Sequence, residues 1–360
     1  MRIAYLTFER PGPESGVGKK MQFHVDCWRN AGHEVRHFVL NHPTERSSRD
    51  GVEYFFGEGG GKPMAKAVSA TFALREALNR FQPEIVYMRQ MIWFPGLVRA
   101  LNGFRVVQEV NSDLGEELKL LGGFSGRVKR LLYRFTRDSL NVITRGAIYV
   151  TDELAKRLPI PGARRIVISN GYVFGAKQPL ARPIMVECER PSLIFVGSPG
   201  QDWHGVDKVE AMAEALPEFD FHLVVPGLIK CGPSNLRYHG ELVGESLSKL
   251  YNQIHVAIGS LALHRNSMNE ACPLKCREYS AYGLPIIAGY RDTDLSGASF
   301  YMELPNTEDN VRQSIDQIRR FVLDWISRPF PYPEAIERLD AIRKEEKRLQ
   351  FFDEVRRAES

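Results

Sequence analysis

Leu263-His264-Arg265-Asn266-Ser267-Met268-Asn269-Glu270-Ala271-Cys272-Pro273-Leu274-Lys275-Cys276-Arg277-Glu278-Tyr279-Ser280-Ala281-Tyr282-Gly283-Leu284-Pro285-Ile286-Ile287 is the stretch that decides the fold. The apolar run at 255–260 just before it reads as a strand, and 285–288 reads as the next. Between them Pro273 suits the first residue of a helix, because its φ is fixed and its missing N–H is no loss there. Gly283 can end that helix, and Pro285 prevents its return. Strand, helix and strand in this order are one βαβ unit of a parallel sheet.

The same alternation extends in both directions. After residue 190, strands are expected at 192–196, 219–225 and 236–239, with helices at 206–215, 245–252, 274–282 and 310–326. Before residue 170, strands are expected at 3–8, 34–40, 52–56, 85–88, 105–110, 147–150 and 165–168, with helices at 19–30, 65–80 and 92–101. Residues 174–191 hold Pro179, Pro183 and Pro191 and show no period, as a linker would. The expectation is an α/β chain of two Rossmann-like domains, 1–173 and 191–330, joined by a linker at 174–190 and followed by a charged helix at 333–357. In such sheets ligands bind beyond the carboxyl ends of the strands, so two domains would face a cleft between them.

Bulk properties agree with a globular protein. A chain of 360 residues has room for about two domains, and 43% hydrophobic with 26% charged residues is a soluble composition. No apolar run approaches the roughly 18–20 residues that span a bilayer. Met1 to Phe8 reads as a first strand rather than a signal peptide. Cys27, Cys188, Cys231, Cys272 and Cys276 are scattered and odd in number, which fits free thiols and a cytoplasmic location. Cys272 and Cys276 have no second pair of ligands nearby, so no metal site is expected there. Residues 1–180 carry 27 Lys and Arg against 17 Asp and Glu, whereas 181–360 carry 21 against 27. The first half should therefore meet something anionic.

The chemistry concentrates around the quoted helix. A helix N-terminus offers unpaired N–H groups and partial positive charge, which suits a diphosphate at Pro273 and Leu274. Lys275 and Arg265 add full charges. Glu278, about one and a half turns in, can accept from ribose hydroxyls. Glu270 and Ala271 lie in the preceding loop, where Glu270 could reach the hydroxyls of a sugar.

These residues resemble the retaining GT-B glycosyltransferases of family 4, in a bacterial variant. Glu270 and Glu278 match that family's Glu-x7-Glu signature, and 281–287 match its small-x-Gly-x-Pro tail. The second matching segment is 193–207, in which Gly197, Ser198, His204 and Gly205 fall where the family binds its donor. Family members commonly have Gly-Arg and Lys-Gly there, so Ser198 and His204 reduce the positive charge at that edge. In the first domain, Gly16 and Gly18 resemble the family's glycine pair beside the transferred sugar and acceptor. Asn111 ends a strand where many members carry a donor-contacting His. Asn170-Gly171 resembles the family's end of the first domain, and the helix over 333–360 would return to that domain.

The resemblance implies the GT-B architecture and a hexosyltransferase that uses a UDP- or GDP-type sugar. Transfer would retain configuration and serve polysaccharide or glycolipid synthesis. Glu270, Lys275 and Arg265 would be catalytic, and the acceptor a saccharide, glycolipid or small molecule. No cofactor or metal is expected, since no Asp-x-Asp stretch is read as a metal loop. Two alternatives are a sugar-nucleotide epimerase of the same fold and a non-catalytic nucleotide-sugar-binding protein. From Phe124 to Leu140 a basic amphipathic helix could lie on an anionic membrane surface at its inner face. No nucleic-acid-binding module is recognisable.

Overall fold

The computed structural model describes residues 1–12, 15–40, 52–55, 63–91, 94, 96–120, 123–174 and 190–358. The chain divides into two compact units, Met1–Ile168 with Ile342–Ser360, and Ser169–Ala341. Most of the expected linker, 175–189, lies outside the described residues.

In the first unit the order is β1 (Arg2–Thr7), α1 (Gly16–Asn30), β2 (Glu34–Leu40), β3 (Val52–Phe55), α2 (Pro63–Phe81), β4 (Ile85–Arg89), α3 (Leu97–Leu101), β5 (Val106–Val110), α4 (Leu114–Leu120), α5 (Gly123–Ile143), β6 (Thr144–Tyr149), α6 (Asp152–Arg157) and β7 (Arg164–Val167). Its described strands form one parallel sheet in the order β3-β2-β1-β4-β5-β6-β7. The reversal between β1 and β4 is the switch point of a doubly wound sheet. Alternate residues of each strand face opposite sides. Leu6, Phe38, Met88 and Val106 build one core with residues of α2, α3 and α5. Tyr5, Tyr87 and Val107 build the other with Trp28 of α1 and with Phe351, Phe352 and Val355 from the far end of the chain.

In the second unit the order is β8 (Ser192–Val196), α7 (Val206–Ala215), β9 (Asp220–Val224), β10 (Leu236–Tyr238), α8 (Gly244–Tyr251), β11 (Val256–Ile258), β12 (Glu270–Ala271), α9 (Leu274–Ala281), β13 (Ile286–Ala288), β14 (Arg291–Asp292), β15 (Tyr301–Glu303), α10 (Asn310–Ile326) and α11 (Tyr332–Leu339). Its main sheet runs β10-β9-β8-β11-β13-β15, the same winding again, with the switch between β8 and β11. The mixed α/β reading with two parallel, Rossmann-like sheets therefore holds.

Three expectations need correction. The helix over 92–101 is only Leu97–Leu101, and 92, 93 and 95 lie outside the described residues. The helix over 333–357 is two, α11 and α12 (Ala341–Arg357). Asp340 breaks it by pairing with Tyr172: Tyr172 N donates to Leu339 O at 2.8 Å and Ala341 N to Tyr172 O at 3.0 Å. Glu270 sits not in an open loop but in β12, whose partner is Arg291 of β14.

Among the described residues no helix is long and apolar enough to cross a membrane. On α5, Leu140 and Tyr133 are buried, whereas Val128, Leu131 and Leu132 are exposed beside exposed Arg127, Lys129 and Arg130. The side chains of Phe124, Arg134 and Phe135 lie outside the described set.

Candidate functional site

The carboxyl ends of β8 and β11 flank the switch point of the second sheet, and the loops that leave them carry most of the residues singled out above. β8 leads straight into Gly197. A Cβ there would stand 2.5 Å from the Phe195 ring and 3.0 Å from His204 Nδ1, so only glycine fits. Residues 202–204 make one 3-10 turn, and Gly205 then starts α7. The loop after β11 packs on this turn: Leu261 N donates to His204 O at 3.1 Å, and Ala262 N to Trp203 O at 3.3 Å. Asn310 of α10 holds the same loop, donating from Nδ2 to Leu261 O at 2.9 Å.

Pro273, with extended backbone, precedes α9 rather than forming its first residue. Gly283, at φ +69°, ends the helix, and Leu284 N returns to Tyr279 O at 2.9 Å. Tyr279 OH accepts from Val196 N at 2.9 Å and fixes α9 against the tip of β8. One turn earlier Lys275 lies over the Phe195 ring, its Nζ 4.3 Å from the centroid.

Lys275 is the electrostatic anomaly of the site. Its Nζ is sealed from solvent and has no hydrogen-bond partner among the described residues. Burial pushes its pKa down to about 8. An ammonium in that position normally finds an anion or hydrogen-bond acceptor. His204 stands at the same place, its Nδ1 also buried, with the Ser198 backbone as its polar neighbour. Burial, and then the nearby Lys275, lower its pKa to about 3, so the ring is neutral at physiological pH. It can offer a hydrogen bond but not the charge expected of it.

Arg265 is differently placed from the sequence expectation. Its guanidinium is bidentate to Asp207, at 2.8 and 2.7 Å, and also binds Glu308. These bonds hold the carboxyl groups of Asp207 and Glu308 below their ordinary range, Glu308 at about 2. Arg265 therefore clasps the edge of the site instead of standing ready for a ligand. Ser198 is exposed, while Ala271, Pro273, Leu274 and Glu278 are half-buried along the entry and first turns of α9. The Glu270 carboxylate lies 4.0 Å from Arg291 Nε.

Arg277 escaped notice in the sequence. It is fully buried and bonds Asp292 at 2.9 Å, Asp294 at 2.6 Å and the Asn170 carbonyl at 3.0 Å. Asn170 Nδ2 in turn donates to Cys272 O at 2.7 Å. Asp292-Thr293-Asp294 is an Asp-x-Asp spacing, and Arg277 occupies both of its carboxylates.

Gly16, Gly18 and Asn111 belong to the first unit. Ser15 caps α1, its Oγ accepting from Gly18 N at 2.9 Å. Lys20 Nζ donates to Glu109 at 2.6 Å and to Asn111 Oδ1 at 3.3 Å, so the second turn of α1 is tied to the end of β5.

No protein-family model matches the sequence, and no curated protein matches it. Solved structures do. Sucrose-phosphate synthase from Thermosynechococcus elongatus superposes with a TM-score of 0.74 over 99% of both chains, at 14% identity. The lipopolysaccharide outer core galactosyltransferase WaaB gives 0.67 over 98% of this chain and 100% of its own, at 12% identity. An alpha-glucosyltransferase in complex with UDP-glucose and DNA gives 0.64 over 98% of this chain and 99% of its own, at 10% identity. At such identities the likeness establishes architecture, and the architecture of this chain is that of the GT-B glycosyltransferases, two Rossmann-like domains in series.

Proposed function

We propose that this protein is a glycosyltransferase that moves a sugar from a UDP- or GDP-type donor to a hydroxyl acceptor, with retention of configuration. The observation that carries the reading is the buried ammonium of Lys275, without a hydrogen-bond partner among the described residues, beside the only residue type that fits at position 197. A leaving diphosphate supplies the missing anion. The shared architecture with glycosyltransferases, one of them solved with UDP-glucose, supports the same reading.

In the reaction the bond between the anomeric carbon and the donor phosphate breaks as the acceptor oxygen bonds to that carbon. Positive charge builds on the sugar and negative charge on the departing diphosphate. Lys275 and the N–H groups that open α9 stabilise the phosphate oxygens, a preorganised arrangement that needs no movement at the moment of reaction. His204 adds a neutral hydrogen bond, and Gly197 and Gly205 let backbone approach. Glu278 accepts from the ribose hydroxyls and Glu270 from hydroxyls of the transferred sugar. The acceptor proton passes to the released diphosphate on the same face, so neither an enzyme nucleophile nor a metal is invoked. Gly16, Gly18 and Asn111 serve the acceptor side. Membership of family 4 rests on Glu270 and Glu278 at their spacing.

The same proposal places the protein at the cytoplasmic face of a membrane, in polysaccharide or glycolipid synthesis. Its support is α5, where exposed Val128, Leu131 and Leu132 stand among Arg127, Lys129 and Arg130.

The test is a thermal-shift panel of UDP, GDP, ADP, dTDP and CDP. A diphosphate at about 100 times its dissociation constant adds about 2.7 kcal/mol. One of the five is expected to stabilise the wild type. Glu278→Ala should weaken it by about 1.5–3 kcal/mol, one to two decades of affinity. Absence of a shift with all five would sink the donor reading.

A further inference from the structure

A cavity of about 170 Å³ lies within the first unit, lined by none of the residues assigned above to the donor or the acceptor. Its walls come from the residues just after β4, from β5 and α5, and from the end of α6 with the turn that follows, and include Gln90, Gln108, Tyr133, Leu140, Arg137 and Arg157. An engineered cavity of roughly 150 Å³ holds one benzene ring, so this one has room for a single six-membered ring.

The polar groups narrow the chemistry. Gln90 Nε2 donates to Tyr133 OH at 3.2 Å, but Gln90 Oε1 is buried and has no hydrogen-bond partner among the described residues. A buried acceptor left so costs stability unless something donates to it. Gln108 is already engaged, its Nε2 donating to Thr144 Oγ1. Arg157 is held by Asp113 at 2.9 Å and Glu116 at 3.1 Å. Arg137 is not so confined. It lines the cavity, is 44% exposed, and pairs with its sequence neighbour Asp138, an exposed contact of the weak kind. An apolar ligand would leave Gln90 Oε1 unpaired. A simple anion would do the same.

We propose that this cavity binds a phosphorylated polyol of monosaccharide size, with a hydroxyl donating to Gln90 Oε1 and the phosphate at Arg137. Two sources share that chemistry, a free sugar phosphate and the phosphoglycerol headgroup of a lipid. Binding here is independent of the donor loop; only a role as acceptor would rest on the transfer reading.

The test uses the full chain and calorimetry with glucose 6-phosphate, glucose and inorganic phosphate, beside sedimentation with phosphatidylglycerol and phosphatidylcholine vesicles. Glucose 6-phosphate is expected to bind at least tenfold more tightly than glucose or phosphate. Arg137→Gln should lose about tenfold for glucose 6-phosphate and nothing for glucose. Gln90→Met should weaken both. If the headgroup is the source, free glucose 6-phosphate will not bind, and Gln90→Met, which changes no charge, will release the protein from phosphatidylglycerol vesicles. No binding by either source, or equal binding by both variants, overturns the proposal. The nucleotide thermal shift of the same samples separates the two readings: a shift with one of the five diphosphates but no cavity binding rejects this site alone, and cavity binding with no shift from any of the five rejects the donor site alone.

Discussion

Lys275 shows how much a single residue can owe to the fold. A solvated lysine titrates near 10.5, and burial brings this one to about 8. If its ammonium receives a diphosphate, affinity should be level up to about pH 8 and then fall about tenfold per unit as the free protein loses that proton. Dissociation constants for the stabilising nucleotide between pH 6.5 and 9.5 check this, and Lys275→Met should be weak and flat over the same range. Stability has the opposite slope. The folded pKa lies below the unfolded one, so the unfolded chain binds the proton more tightly from about pH 8 to 10.5, and this group makes the fold more stable as pH rises through that window. Lys275 was legible as a cation at a helix start because Pro273 is its near neighbour. Its isolation was not, since the ring that covers it is Phe195, eighty residues earlier. Arg265 was legible in the same way, and its ion pairs were not, for the same reason: Asp207 and Glu308, which hold it, are remote in sequence.

At the scale of elements, α9 and α11 make a useful contrast. Local residues bound α9, with Pro273 before it and Gly283 after, so its limits could be read without a structure. The break between α11 and α12 has no glycine or proline at Asp340; pairing with Tyr172 makes it, and no local pattern announces that. The six-residue α6 was missed because it is too short to show a period, although Thr151 caps it by accepting from Leu154 N at 3.2 Å. Arg277 anchors α9 to β14 from within the core, where it and Asp292 are fully buried. Removing one member of a buried pair leaves the other charge uncompensated. Arg277→Met should therefore lower stability by about 3–5 kcal/mol, read from urea unfolding. Nucleotide affinity should fall with it, because the same helix carries Lys275 and Glu278.

At the scale of the whole molecule, the first unit is assembled from both ends of the chain. α12 supplies Phe352 and Val355 to the core of that unit, and Glu345 accepts from Trp28 Nε1 at 2.7 Å. Arg348 donates to Tyr87 OH at 2.7 Å and lies 3.8 Å from Glu109, within a buried network that also includes Lys20 and His24. A chain ending at Asp340 would bare Trp28 and Tyr87 and take the Arg348 cation from beside buried Glu109. The expected result is loss of the first unit's cooperative unfolding while the second keeps its nucleotide-induced thermal shift, measured by scanning calorimetry. The winding of each sheet could be anticipated from alternating strands and helices, because each βαβ step is local.

That assembly has a consequence for biosynthesis. A ribosome releases the chain from its N-terminus, so Met1–Ile168 emerges first and waits for a helix encoded at the far end. The intervening segment, Ser169–Ala341, takes on the order of ten seconds or more to synthesise. Throughout that interval the Trp28 face of the nascent sheet has no cover, whereas the second unit is complete as soon as it leaves the exit tunnel. The part made second is thus the part able to mature first, and the early half is a natural client for a chaperone until α12 has been made.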